Sequence, residues 1–459
     1  MKAAGDRPIV LVSNRGPFAW TASDDGELSA RRAAGGFAAT TAALLDGSGT
    51  TWIAAAMTDG DRMAAQRGAA DVEGFHLRLL SPDPDDYRAF YDVVSNSILW
   101  FLHHGLFDLS RRPTFDHHFR QAWDRYRAVS ATFADAVSEE APDGAAVLVQ
   151  DYHLSLLGRM IAERRPDLDA VHFSHTPFCG PTSIRVLPDD VAGELVEGMG
   201  GFAACGFHCD RWANTFAASC REVGREPPPT FVAPIGPHPD DIGAAAASKA
   251  CHEAHAALEV ELGGRKLLLR VDRIELSKNI VRGFLAYDEL LRRHPEWCEQ
   301  VTFGAFLYPS REGLPEYLAY RNEVESLAAR LNDEWGTPDW TPVILDADDD
   351  FPRSVAALRR YDVLLVNPIR DGLNLVAKEG PLVNERDGVV ALSREAGAWQ
   401  EMAGAALEVN PYDVAGTADI LHRALTMTPG ERTAHAAALR KAALARSPTD
   451  WLTDQLAAL

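Results

Sequence analysis

The run Val366-Asn367-Pro368-Ile369-Arg370-Asp371-Gly372-Leu373-Asn374-Leu375-Val376-Ala377-Lys378-Glu379 decides how this chain is read. It follows Tyr361-Asp362-Val363-Leu364-Leu365, a short apolar stretch that predicts a strand buried on both faces, as in a parallel sheet. A polar turn containing Asp371-Gly372 comes next, then a helical segment. Open α/β sheets bind ligands beyond the carboxyl ends of their strands, where such turns lie. Gly372 has no Cβ and lets a ligand approach the backbone closely. The spacing predicts that the N–H groups from Gly372 to Leu375 serve as donors at a helix start, suited to an anion or to sugar hydroxyls. Glu379 falls about one turn further on, on the helix face of Leu375. The same spacing also describes an ordinary strand-to-helix turn carrying a solvated acid.

Outward from this run the strand and helix patterns alternate. Strands are expected over 9–12, 145–149, 170–173 and 230–235, with a short strand and a helix sharing 204–220. Helices are expected over 38–45 and 242–262, from 154 to about 164, and over the segment rich in aromatics and histidine that begins with 91–100 and ends near 123. After Gly236-Pro237-His238-Pro239 the alternation restarts, with strands over 266–271, 301–307, 343–345, 361–366, 388–392 and 406–409. The Pro/Gly punctuation marks a domain boundary. The expectation is α/β throughout: two Rossmann-like doubly wound domains, 1–238 and 239–445, with a last helix, 446–459, packing back toward the first.

Bulk properties agree. The chain of 459 residues is too long for one core, and 46% apolar with 24% charged residues is a soluble globular composition. Its formal charge of −21, from 66 acids against 45 bases, argues against nucleic acid or an anionic membrane as partner. An anionic small substrate would need local arginine and lysine. The six cysteines form no disulfide framework, and Cys205, His208, Cys209 and Cys220 match no zinc spacing. No apolar segment precedes Ile9 and no run reaches membrane-spanning length, so a cytoplasmic protein is expected; no residue spacing calls for a metal or cofactor, and none is expected.

Several strand ends carry polar clusters. Ser13-Asn14-Arg15 follows the first strand, and Gly35-Gly36-Phe37 opens the helix after it, where backbone N–H groups can meet a phosphate. Gln150-Asp151-Tyr152-His153 and Ser174-His175-Thr176-Pro177 end two successive strands and lie side by side in a parallel sheet. In the second half stands Asp272-Arg273-Ile274-Glu275-Leu276-Ser277-Lys278-Asn279. A strand-end Arg273 and a helix-start Lys278 can hold a diphosphate from two sides; a surface ion-pair turn with Asp272 and Glu275 is the alternative. Arg311 and Arg15 are further strand-end arginines, a pair fitted to a phosphorylated substrate. The acids Asp346 to Asp350 precede a helix, so Asp350 is expected to cap it rather than bind metal.

Together these motifs resemble the trehalose-6-phosphate synthase family of retaining glycosyltransferases, in its branch from high-GC bacteria. The most specific pieces are Asp151-Tyr152-His153-Leu154, His175-Thr176-Pro177-Phe178, Asp272-Arg273 with Ser277-Lys278, and Arg370 through Glu379. Ser393-Arg394-Glu395-Ala396-Gly397 and the region of Asn384 resemble that branch. The resemblance implies a GT-B fold, two Rossmann-like domains facing across a cleft, and no required metal. It implies that Gly36, Arg273, Lys278, His175, Asp371, Gly372, Leu373, Asn374, Leu375 and Glu379 bind a nucleotide-glucose donor, UDP- or GDP-glucose. Gly36 would contact its diphosphate and Glu379 its ribose. Arg15, Tyr91, Trp100, Asp151 and Arg311 would bind glucose 6-phosphate, with the two arginines on its phosphate. Arg273, Lys278, Asp151, His175 and Asp371 would be the catalytic set.

The chain departs from the family pattern in three places. Cys179-Gly180-Pro181-Thr182-Ser183-Ile184 stands where prolines, an acid and an aromatic are usual. Gly206-Phe207-His208-Cys209 replaces Gly-Phe-Gln-Thr. Ala54 and Ala55 follow Trp52 where a second tryptophan is often found. These changes leave two other readings open: the same chemistry, or a cyclitol coupling, on a different acceptor in a specialised-metabolite pathway, and a non-catalytic sugar-phosphate-binding regulator. The sequence leaves a homo-oligomer open.

Overall fold

A computed structural model of the chain describes residues 7–22, 27–32 and 41–459. The expected phosphate contact Gly36 lies outside these residues. The chain divides into two compact units, Met1–Ile235 with Pro448–Leu459, and Gly236–Ser447.

In chain order, the first unit contains β1 (Ile9–Ser13), β2 (Phe18–Ala22), β3 (Leu28–Arg32), β4 (Thr51–Ala55), β5 (Ala70–Val72), β6 (Phe75–Leu80), β7 (Ala146–Gln150), β8 (Asp169–Ser174), β9 (Ala204–Phe207) and β10 (Thr230–Val232). Eight of these form a sheet in the order β10-β9-β8-β7-β1-β4-β6-β5, parallel except for β5 against β6. The order reverses between β1 and β7, so the ends carrying Asn14-Arg15 and Asp151 are neighbours. Both strands are apolar and buried nearly throughout, as strands covered on two faces must be.

The second unit has β11 (Lys266–Arg273), β12 (Val301–Tyr308), β13 (Val343–Asp346), β14 (Val363–Val366), β15 (Val389–Ser393) and β16 (Leu407–Val409). All pair in parallel, in the order β13-β12-β11-β14-β15-β16. Numbered within the unit this is 3-2-1-4-5-6, the Rossmann order, with its switch point between β11 and β14. Leu268, Phe303, Val363, Leu365, Val389 and the inner face of helix Ile280–Arg293 share one apolar core.

The structure differs from expectation in several elements. The polar stretch around 28–32 is a strand, paired antiparallel with Phe18–Ala22. Its side chains are mostly exposed, so no apolar alternation marks it. β4 and β6 also lacked a signal strong enough to be read. The strand expected over 230–235 ends at Val232. The helix expected over 242–262 is two, Pro239–Ala246 and Lys249–Leu262, because Ser248 accepts from Cys251 N–H and starts the second. Asp350 caps helix Phe351–Arg360 through Arg353 N–H at 2.9 Å, and Asp346 pairs with Arg353. The segment around 91–100 is helical, but Ala89–Leu99 is a π-helix.

Candidate active site

In the second unit the two strands flanking the switch point deliver most of the expected donor residues. Arg273 ends β11, and the turn after it brings Lys278 back toward the loop after β14. Lys278 Nζ lies 2.6 Å from Asp371 Oδ2 and 3.8 Å from Asp272 Oδ1. Burial lowers the pKa of Lys278, but Asp371 and Asp272 outweigh it, so the ammonium is held above its ordinary value. Burial pushes the Asp272 carboxyl up, against Arg270 and Lys278. The ion-pair turn left open by the sequence is thus present, and it is buried apart from Arg273.

Arg270 sets this turn. Its guanidinium is fully buried and donates to Lys278 O at 2.7 Å, Asn367 Oδ1 at 2.8 Å and Asp272 Oδ2. One side chain therefore joins the end of β11, the Lys278 turn and the start of the β14 loop. Gly283 makes the space, since a Cβ there would stand 2.7 Å from Arg270 Nη1. Sequence reading missed Arg270. The signal was available: an arginine inside Lys266-Leu267-Leu268-Leu269-Arg270-Val271 must find buried partners.

The loop after β14 is tied down rather than open. Asp371 N–H donates to Glu395 O, Gly397 N–H to Asp371 O and Ala398 N–H to Leu373 O. The helix begins only at Val376. Leu373 N–H donates to Asp371 Oδ1 at 3.3 Å, so the expected row of outward donors over Gly372–Leu375 is partly consumed by Asp371 itself. The left-handed residue of the loop is Asn374, φ 78°, and its side chain takes Ala377 N–H. The carboxyl of Glu379, half-buried, is pushed up by burial to about 7.

Arg311, expected on the acceptor side, stands after β12 in this same unit. Its Nη1 donates to Glu275 Oε1 at 2.8 Å, the atom that Arg273 Nη1 approaches at 3.1 Å.

In the first unit Asp151 carries an unusual backbone, φ 71° and ψ 164°. That region belongs to glycine and costs a side chain on the order of 1–3 kcal/mol, a strain that clusters at functional sites. It is held by His172 Nε2 against Asp151 O at 3.0 Å and by His175 N–H donating to Asp151 Oδ1 at 3.2 Å. Burial brings the His172 imidazole down to about 4, so it stays neutral.

Tyr91 and Trp100 meet the turn after β7. Tyr91 stacks on His153 at 5.7 Å and Trp100 packs on Tyr152 at 5.6 Å. Nine residues are two and a half turns of an α-helix, which would set these rings on opposite faces. They are about two turns of a π-helix, near 4.4 residues each, which sets them on one face. Ser95 and Ser97 hydroxyls donate five residues back, to Phe90 O and Asp92 O. Tyr87 stacks on Tyr91 and donates to Asn14 Oδ1 at 3.1 Å, which brings the element beside Arg15.

His175 stands in a chain of buried polar groups. Ile235 N–H donates to His208 Nδ1, which puts the His208 proton on Nε2, 3.3 Å from His175 Nδ1. His175 Nε2–H then donates to Gln150 Oε1 at 3.1 Å, and Gln150 Nε2 to Gln455 Oε1 at 2.9 Å. Burial, then the neighbouring His208 and His172, hold the His175 pKa well below its ordinary value. Sequence reading put Gln150 in a strand-end polar cluster beside that of His175 and noted His208 as a departure, without seeing the bonds that join them, and it missed Gln455.

The cysteines at 205, 209 and 220 are buried thiols, their pKa values pushed up by burial. Among the described residues, ligand atoms converge at Asp116-His117-His118 and at His294, Glu296 and His422. In the second group the imidazoles stack 3.6 Å apart at 10°, so their in-plane lone pairs run parallel instead of meeting at one ion.

The sequence profile described as Glycosyltransferase family 20 matches residues 7–459. A trehalose-6-phosphate synthase of Mycobacterium sp. strain KMS is 32% identical over 99% of this chain and 96% of its own length. A bifunctional trehalose-6-phosphate synthase/phosphatase of Thermoproteus tenax is 31% identical over 97% of this chain, which spans 62% of that protein. The E. coli trehalose-6-phosphate protein solved with UDP-2-fluoro glucose superposes with TM-score 0.85 at 28% identity, covering 98% of this chain and 99% of that one. A UDP-forming synthase of Burkholderia xenovorans, solved with glucose-6-phosphate, gives 0.83 at 26%, covering 97% and 98%.

Proposed function

Since the chain belongs to glycosyltransferase family 20, and has the GT-B class of fold, we propose that it moves glucose from UDP-glucose to glucose 6-phosphate, giving trehalose 6-phosphate with retention. The observation that carries this reading is the second unit's switch point, where Arg273, Lys278 and Asp371 stand together on the ends of β11 and β14. It is where a Rossmann sheet receives a nucleotide. The donor assignment also draws on the relative solved with UDP-2-fluoro glucose, and the acceptor on the one solved with glucose-6-phosphate.

In this reading Arg273 and Lys278 neutralise the diphosphate as it leaves. Asp371 orients Lys278 and, with the 372–375 backbone, holds glucose hydroxyls, and Glu379 accepts from the ribose. His175, its neutral imidazole held by His208 and Gln150, packs beside the sugar. Arg15 and Arg311 take the acceptor phosphate, while Asp151, Tyr91 and Trp100 hold its ring. The bond from the anomeric carbon to the phosphate oxygen breaks through an oxocarbenium-like state. The acceptor hydroxyl bonds to that carbon on the same face, and its proton passes to the leaving phosphate oxygen. Orientation and fixed charge supply the acceleration, and no side chain attacks.

The test is a panel of UDP- and GDP-glucose against glucose 6-phosphate and other phosphosugars, with product mass measured. Trehalose 6-phosphate from UDP-glucose is expected. Donor consumption only with another acceptor would favour the specialised reading raised by His208 and the 179–184 segment. Absence of donor binding would overturn the enzymatic assignment of the site.

A further inference from the structure

Glu275 is a buried carboxylate of the second unit that the reaction as described does not use. It is 0% exposed, and one oxygen, Oε1, accepts from Arg311 Nη1 at 2.8 Å and Ser310 Oγ at 2.8 Å with Arg273 Nη1 at 3.1 Å. Its other oxygen, Oε2, has no hydrogen-bond partner among the described residues. The residue also organises the backbone: Glu275 N–H donates to Arg273 O, and Lys278 N–H donates to Glu275 O. Arg311 is held in turn by Tyr317 Oη at 3.1 Å, with a left-handed backbone at φ 47°. Burial would raise the Glu275 pKa, but Arg273, Arg311 and Lys278 bring it down to about 2, so it is ionised at every working pH.

The chemistry of this trio is specific. Two guanidinium groups repel, yet a single oxygen brings their Nη1 atoms within about 6 Å of one another, attraction at the shared anion exceeding repulsion at the longer distance. Arg273 is half-exposed and Arg311 largely buried, so the former has nitrogens turned to solvent while the latter is fixed.

We propose that Glu275 is a positioning residue that couples two anion sites, the one at Arg273 and the one at Arg311. This rests on the reading that Arg273 meets the donor diphosphate and Arg311 the acceptor phosphate. A diphosphate that draws Arg273 away leaves Glu275 Oε1 to Arg311 and Ser310 alone. The bond to Arg311 then strengthens and its guanidinium is held more firmly for the second anion. Occupancy of the first site therefore tightens the second, and by linkage the reverse holds by the same factor.

Calorimetry on the full chain tests this with uridine or guanosine diphosphate, whichever the wild type binds, and glucose 6-phosphate, each alone and in the presence of the other. The wild type is expected to bind glucose 6-phosphate several-fold more tightly when the diphosphate is present. Glu275→Gln keeps the shape and removes the charge; it is expected to weaken both ligands and bring the coupling factor to one. Glu275→Asp keeps the charge, and so protects folding, but retracts the carboxylate; it is expected to lose coupling while keeping its melting temperature near wild type. A wild type that binds both ligands without coupling overturns the proposal, as does either folded variant with coupling intact. A wild type that binds neither ligand overturns the reading beneath it instead.

Discussion

Arg273 and Lys278 carry the charge argument most directly. Replacing either by alanine is expected to lower turnover by about two orders of magnitude or more, measured as kcat with UDP-glucose and glucose 6-phosphate. Near-normal turnover in both variants would remove the clamp. Glu379 gives a prediction whose sign follows from its burial. Its folded carboxyl titrates near 7 against about 4.3 in an unfolded chain, so the folded state holds the proton more tightly. The stability tied to that proton is complete below about pH 4.3 and is lost as pH rises through 7. Glu379→Gln should therefore melt higher than wild type at pH 8 and about equally at pH 4. Function runs the other way: ribose hydroxyls need the ionised acceptor, so wild-type kcat/KM for the donor should fall below about pH 7. A flat profile in wild type would exclude Glu379 from donor binding. Glu275 has the opposite sign, lending stability above about pH 4.3 that is lost as pH falls toward 2.

At the scale of elements, the loop after β14 and the π-helix show how backbone register aims side chains. Gly397 passes so close to that loop that a Cβ would stand 1.9 Å from Gly372 O. Gly397→Ala must displace the Asp371–Leu373 segment, at a cost of about 1–3 kcal/mol. A melting temperature lowered accordingly, with donor KM raised about tenfold and acceptor KM little changed, is the expected outcome; equal effects on both substrates would count against a donor role for this loop. Tyr91 and Trp100 were candidates only through the family resemblance, and the reason they share a face was not legible. A helical pattern in sequence is indifferent to whether the carbonyl four or five residues back accepts each N–H. Ser95 and Ser97 supply the extra bonds locally, but packing on Tyr152 and His153 decides the register. The exposed strand Leu28–Arg32 escaped reading for the complementary reason that it buries too little to leave a pattern.

For the whole molecule, the helix Pro448–Ala457 belongs to the first unit although the chain reaches it last. Trp451 is fully buried, 5.5 Å from Phe173 and 5.8 Å from His175, and Gln455 closes the chain of groups through Gln150. Trp451→Ala should cost about 3–5 kcal/mol. Hydrogen exchange is expected to localise that loss to β7 and β8, leaving β11 protected; uniform loss across both units would contradict the assignment of this helix to the first. The sequence by itself determined the alternation of strand and helix, the polar clusters at strand ends and the family to which they belong, because residue periodicity and short turn chemistry are local properties. Only the tertiary structure decided which strand ends are neighbours, that Arg270 bolts the Lys278 turn to the β14 loop, and that Arg273 and Arg311 share one carboxylate. Those contacts join residues tens of positions apart through crossovers whose order no local pattern encodes, and a buried charge reveals its partners only once the chain has folded around it.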